Sequence, residues 1–102
     1  MTENKKNILS LFSNYNTAKK NAREYLGDDV KLLISPRKDK KYRVYDPDGN
    51  PVDFGQMEYE DYTFHGDDER RERYLKRARK IKGNWKNNPY SANNLSIHVL
   101  WN

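Results

Sequence analysis

Lys41 to Gln56 reads KYRVYDPDGNPVDFGQ, and the fold turns on how that stretch is understood. Tyr42 and Val44 alternate with Arg43 and Tyr45, the period-two pattern of a strand with one face inward. Asp46-Pro47-Asp48-Gly49-Asn50 follows, the strongest turn signal in the chain, because Pro47 presets φ and Gly49 tolerates a positive φ. Val52 to Gln56 is then the returning strand of a hairpin. Upstream, Val30 to Ser35 (VKLLIS) is a short apolar run rich in β-branched residues that ends at Pro36, so it predicts a further strand. Three antiparallel strands are the simplest outcome.

Outside the strands the period changes. Ile8, Leu11, Phe12 and Tyr15 fall at i, i+3, i+4 and i+7, predicting one face of a helix. Ala18, Ala22, Tyr25 and Leu26 predict a second helix, started by Thr17 or Asn16, stopped by Gly27 and broken from the first by Asn14 and Asn16. Gln56 to His65 is aromatic and acidic and reads as irregular. From Asp67 to about Lys82 the pattern predicts the clearest helix: Asp67 or Gly66 as cap, Asp68 and Glu69 in the first turn, and Gly83 as the stop. Tyr74, Leu75, Ala78 and Ile81 share its packing arc, and Arg73, Lys76, Arg77 and Lys80 share the opposite one. In the tail Ser91 suits a helix cap, yet Leu95, Ile97, Val99 and Trp101 alternate as a strand would, and period alone does not separate the two. The expectation is an α+β single domain over residues 1–102: a small antiparallel sheet of about three strands with two or three packed helices. Residues 1–28 form its helical N-terminal segment, 29–56 the strands with the hairpin, and 57–102 the acidic aromatic loop, basic helix and aromatic tail.

Composition narrows the function. The 102 residues hold 20 Lys/Arg against 15 Asp/Glu and no Cys, which excludes a disulfide scaffold, a thiol nucleophile and a thiolate zinc site. The five Gly stand singly at turns, so no phosphate-cradling loop exists, and no GxSxG nucleophile motif occurs. The longest apolar run, Ile97 to Trp101, is interrupted by His98 and far too short for a membrane span, while Ile8 to Phe12 is too short for a signal-peptide core. A soluble intracellular protein without membrane contact is expected.

Charge is segregated along the chain. Residues 1–45 carry a net +6, 46–69 a net −9 without a single Lys or Arg, and 70–86 a net +8. Either the acidic segment folds back over the basic ones, or a basic face stays open to a polyanion. The open reading puts Arg73, Lys76, Arg77 and Lys80 on phosphates, helped by Arg37, Lys38 and Lys40 of the basic turn after the first strand. With no Asn or Gln on the basic helix, such contacts are positional rather than sequence-reading. Tyr59, Tyr62 and Trp85 are alternatively stacking platforms or core, with core favoured because aliphatic residues are few. Asp61, His65 and Asp67 form a weak acid–base cluster whose sharp reading is a metal-dependent nuclease and whose bland reading is helix capping, with His98 packed among apolar neighbours.

From Lys41 onward the order of residues resembles a family of small basic proteins encoded by large double-stranded DNA viruses, whose function is unassigned. The resemblance rests on Lys41-Tyr42, the Asp48-Gly49 turn, Phe54-Gly55-Gln56, Tyr59-Glu60-Asp61-Tyr62-Thr63, His65, Asp67, Arg70-Arg71 and Tyr74. It continues through Gly83-Asn84-Trp85, Ser91-Ala92-Asn93-Asn94-Leu95-Ser96 and Leu100-Trp101. It implies a place in the virion, or in the cytoplasm or nucleus of an infected cell, and it transfers no catalytic residue, metal or cofactor. The combined expectation is a non-enzymatic virion-associated module whose basic helix binds an acidic partner, foremost the backbone of viral DNA. The alternative is a minor capsid or cement protein keyed into neighbouring capsid subunits by its opposed charges. Oligomerisation stays open.

Overall fold

The computed structural model describes residues 2–102. Its centre is the hairpin formed by β2 (Lys40–Tyr45) and β3 (Pro51–Gln56), with Tyr42 facing Phe54, Arg43 facing Asp53 and Val44 facing Val52. The turn closes as its residues require: the Asp46 carboxylate accepts from the Asp48 and Asn50 amides at 3.0 and 2.9 Å, and Gly49 takes φ +82°. β1 (Leu33–Ile34) pairs antiparallel with β2 to give a three-stranded sheet in the order β1-β2-β3. The apolar run around β1 is longer than its two paired residues, because Leu32 turns into the core and Pro36 ends the pairing. The fold is α+β, as the alternation and the helical periods predict.

Tyr42, Val44 and Phe54 are fully buried, and the Tyr42 hydroxyl donates to Ser13 Oγ at 2.8 Å. The other side of the hairpin carries a bidentate pair, Arg43 Nε and Nη2 each 2.9 Å from the Asp53 carboxylate, with Ser35 Oγ donating to the same carboxylate at 2.6 Å. The Arg43 guanidinium, helped by Ser35, holds the Asp53 carboxyl below its ordinary range. A depressed carboxyl stabilises the fold above its unfolded pKa and loses that contribution as pH falls through the folded value. Urea midpoints of the protein and Asp53→Asn are therefore expected to differ most at neutral pH and to converge in acid.

The first helical segment departs from the expected single face. α1 (Thr2–Leu9) ends before Leu11, and α2 (Tyr15–Leu26) starts afresh with Asn14 as its cap, whose side chain accepts from Thr17 N at 3.2 Å. Thr17 and Asn16 are thus inside the helix, and Ile8, Leu11, Phe12 and Tyr15 do not share one cylinder. Leu9 is the residue α1 buries, while Ile8 and Leu11 stay exposed. α2 behaves as its spacing predicts. Ala18 and Ala22 leave no accessible surface, and their small size brings the helix against the C-terminal segment, where Asn21 Nδ2 donates to Val99 O at 2.9 Å. Gly27 closes α2 at φ +112°.

The presumed irregular stretch contains one turn of helix, α3 (Tyr62–His65), capped by Asp61. α4 (Asp68–Ala78) follows, with Asp67 as its cap accepting from the Glu69 and Arg70 amides. It stops at Ala78, four residues before the expected end. There the Asn93 side chain donates to Ala78 O at 3.1 Å, and the Trp85 indole donates to Ile81 O at 2.6 Å. Lys80 therefore lies beyond the helix, and Ile81 is 53% exposed rather than packed. The tail is helical, not extended: Ser91 caps α5 (Ala92–Leu95), which runs on into a π-helical turn, Ser96–Leu100, closed by the Trp101 amide on Ser96 O at 3.1 Å. Leu95, Ile97, Val99 and Leu100 are all buried because this segment packs against both α2 and β3. No described helix is long and apolar enough to cross a membrane.

Candidate nucleic-acid interface

The nine acids between Asp46 and Glu69 find most of their partners close by. Asp46 closes the hairpin turn, Asp53 holds Arg43, Asp61 holds Lys41, Asp67 caps α4, and Asp68 accepts from the Tyr62 hydroxyl at 2.6 Å. Among the described residues Glu60 is the acid of this segment that pairs with a side chain of the basic helix, meeting Arg70 at 2.7 Å. Among the described residues the ion pairs are these three and an exposed contact of Arg37 with Asp39 at 3.5 Å. Arg73, Lys76, Arg77 and Lys80 are exposed and none joins an ion pair. The acidic segment spends its ion pairs on Lys41, Arg43 and Arg70 and leaves Arg73, Lys76, Arg77 and Lys80 open.

The seven predicted cations do not form one patch. Lys40, Arg73 and Arg77 line a groove of about 650 Å³ between α4 on one side and the open end of the β2–β3 hairpin on the other. Arg70, outside the seven predicted cations, lines the same groove and is paired there with Glu60. Lys76 lies on the other flank of α4, beside Glu72 and Arg79. Lys80 is displaced past the helix end, Arg37 is held by Asp39, and Lys38 borders a separate groove walled by Ile8, Phe12 and Met57. The turn that presents Lys38 and Lys40 is anchored from α1. Lys5 Nζ donates to the carbonyls of Ser35, Arg37 and Lys40 at 2.5, 2.5 and 2.7 Å.

The floor of the groove is apolar and locked. Tyr74 of α4 stacks on Trp101, ring centroids 4.2 Å apart at 7°, and Arg71 Nε donates to Trp101 O at 2.8 Å. Gly55, at φ +83°, lets Leu100 lie directly on the strand, where a Cβ would sit 2.8 Å from Leu100 Cδ1. Beneath it Lys41 and Asp61, each 2% exposed, meet at 3.0 Å, and Lys41 Nζ also donates to the Tyr59 carbonyl. Burial pushes the Lys41 ammonium below its ordinary pKa, against the pull of Asp61.

The acid–base cluster is engaged internally. Asp61 accepts from Lys41 and from Thr63, Asp67 caps α4, and His65 Nδ1 accepts from the Asp67 amide at 2.9 Å. That bond uses the lone pair a metal ligand or general base needs, and burial, with Arg70 nearby, lowers the His65 pKa. His65 Nε2 is buried without a partner, its ring 5.2 Å from that of Trp101. No three described His, Asp or Glu side chains are grouped so as to hold a metal ion. His98 stacks on the Tyr25 ring, centroids 4.3 Å apart. Of the aromatics, Tyr62 and Trp85 are half-buried and packed against the core, while Tyr59 is 69% exposed.

Residues 30–78 match the model of a family of unknown function (DUF5754). The matched span carries the sheet, the Lys41–Asp61 pair and all of α4, hence every predicted cation except Lys80. No curated protein and no solved structure matches the chain.

Proposed function

We propose that the protein is a non-enzymatic, virion-associated module that holds duplex DNA through its phosphate backbone, without sequence preference. The observation that carries this reading is the exposed, unpaired state of Arg73, Lys76, Arg77 and Lys80 beside a segment dense in acids. Lys38 and Lys40 extend the cationic surface around the end of the sheet. Placement in a viral particle rests on the sequence resemblance that begins at Lys41. No described Asn or Gln stands on α4, so the helix offers point charges and forks to phosphates rather than a code for base edges.

With about five or six phosphate contacts, affinity for unrelated duplexes is expected to fall with salt at a log–log slope of roughly −4 to −5. Replacing Arg73 and Arg77 with Gln should flatten that slope by about 2. Fluorescence polarisation across a salt series reads both. Failure to bind at low salt overturns the reading, and recovery of the protein with stripped shells rather than with DNA points instead to a capsid-bridging role.

A further inference from the structure

We infer that the groove between α4 and the open end of the hairpin seats an unpaired nucleotide, its phosphate against Lys40, Arg73 and Arg77 and its base on the Tyr59 ring. The inference rests on the polyanion reading above and narrows it. Lys40, Arg73 and Arg77 line a concavity of about 650 Å³, within the usual size of a small-ligand site. Tyr74, stacked on Trp101 with ring centroids 4.2 Å apart, lines it beside those cations.

Tyr59 is the element that distinguishes a nucleotide from a simple anion. Its ring makes no aromatic pair and its hydroxyl no hydrogen bond among the described residues, and at 69% exposure it is the most exposed of the large hydrophobic side chains described. Yet its backbone is fixed at both ends of the residue: its amide donates to Gln56 O at 3.3 Å and its carbonyl accepts from the buried Lys41 ammonium. An exposed ring on an anchored backbone is a stacking platform that loses little freedom when a base lands on it. Lys40, Tyr59, Arg73 and Arg77 all line this one groove, so the proposed seat offers the phosphate and the base of one nucleotide a partner each. Every base has a stacking face, so the site takes any sequence.

The test compares oligothymidylate with a mixed-sequence duplex of equal length, at matched ionic strength, on the full chain and on Tyr59→Ser. Tyr59 is exposed, so the substitution leaves the fold intact. The single strand is expected to bind about tenfold more tightly than the duplex, and Tyr59→Ser to abolish that preference while duplex affinity stays unchanged. Arg73→Gln with Arg77→Gln is expected to weaken the single strand more than Lys76→Gln with Arg79→Gln on the far flank does. Equal affinities, a duplex preference, or an equal loss on both ligands in Tyr59→Ser overturns the nucleotide site and leaves the DNA-binding reading standing. Binding to the single strand alone overturns the duplex reading, and binding to neither at low salt overturns both.

Discussion

Asp61→Ala is expected to destabilise the fold by about 3–5 kcal/mol, the usual consequence of leaving a buried charge without its partner. The Asp61 carboxylate accepts from Lys41 Nζ, from the Thr63 amide and from the Thr63 hydroxyl, and its own amide donates to Phe12 O at 3.0 Å. Truncation would strand the Lys41 ammonium with the Tyr59 carbonyl as its one acceptor and remove the cap of α3. Lys41→Met together with Asp61→Asn is expected to be less damaging than the sum of the single changes, because an apolar stem and a neutral amide need no counter-charge. Urea midpoints at neutral pH for the protein, both single variants and the double variant measure the coupling. A loss below about 1 kcal/mol for Asp61→Ala would mean that water reaches the pair after all.

Gly55→Ala is the second large effect, at about 3 kcal/mol. A non-Gly residue held at φ +83° loses about 1–2 kcal/mol, and the new methyl would meet Leu100 Cδ1 at 2.8 Å and Lys41 Cβ at 3.2 Å. Leu100 is 1% exposed and has no free direction in which to yield. Gly49 provides the internal comparison. Its φ is +82° and nothing lies within 4 Å of the position of a Cβ, so Gly49→Ala should lose only the backbone part, about 1 kcal/mol. Thermal or urea unfolding of the two variants separates conformational strain from the close approach of the C-terminal segment to the sheet.

Much of the architecture was legible because local and tertiary signals agree. The hairpin declares itself through period-two alternation and an Asp-Pro-Asp-Gly turn, and α4 through an Asp cap followed by acids and then cations. Where the reading failed, contacts distant in sequence decided. The end of α4 is set by the side chains of Asn93 and Trp85, which no local pattern around Ala78 reveals. Leu95, Ile97 and Val99 alternate yet are helical, because a segment covered on several sides has no polar face to betray its period. Ile8 to Tyr15 looks like one helical face only if Asn14 is not a cap.

The cations of the interface were visible, but not the groove. Its far wall comes from the hairpin end and its floor from Leu100 and Trp101, parts that meet only in the folded chain. Gly55 carried the one local hint, a glycine at the end of a strand where a close backbone approach is the usual reason for it. That Lys41, among so many lysines, is the buried one could not be read, since its partner Asp61 lies twenty residues on.

The Lys5 ammonium, gripping three successive bends of main chain near Ser35, Arg37 and Lys40, makes the basic turn a guyed mast rather than a free loop. Its stay is fastened to α1, in which Leu9 is the one buried side chain among those described. Loosening of that slender helix would slacken the mast at Arg37 and Lys38, whereas Lys40 stays paired with Gln56 in the sheet. The proposed hold of Lys38 on an anion is thereby tied to the seating of α1.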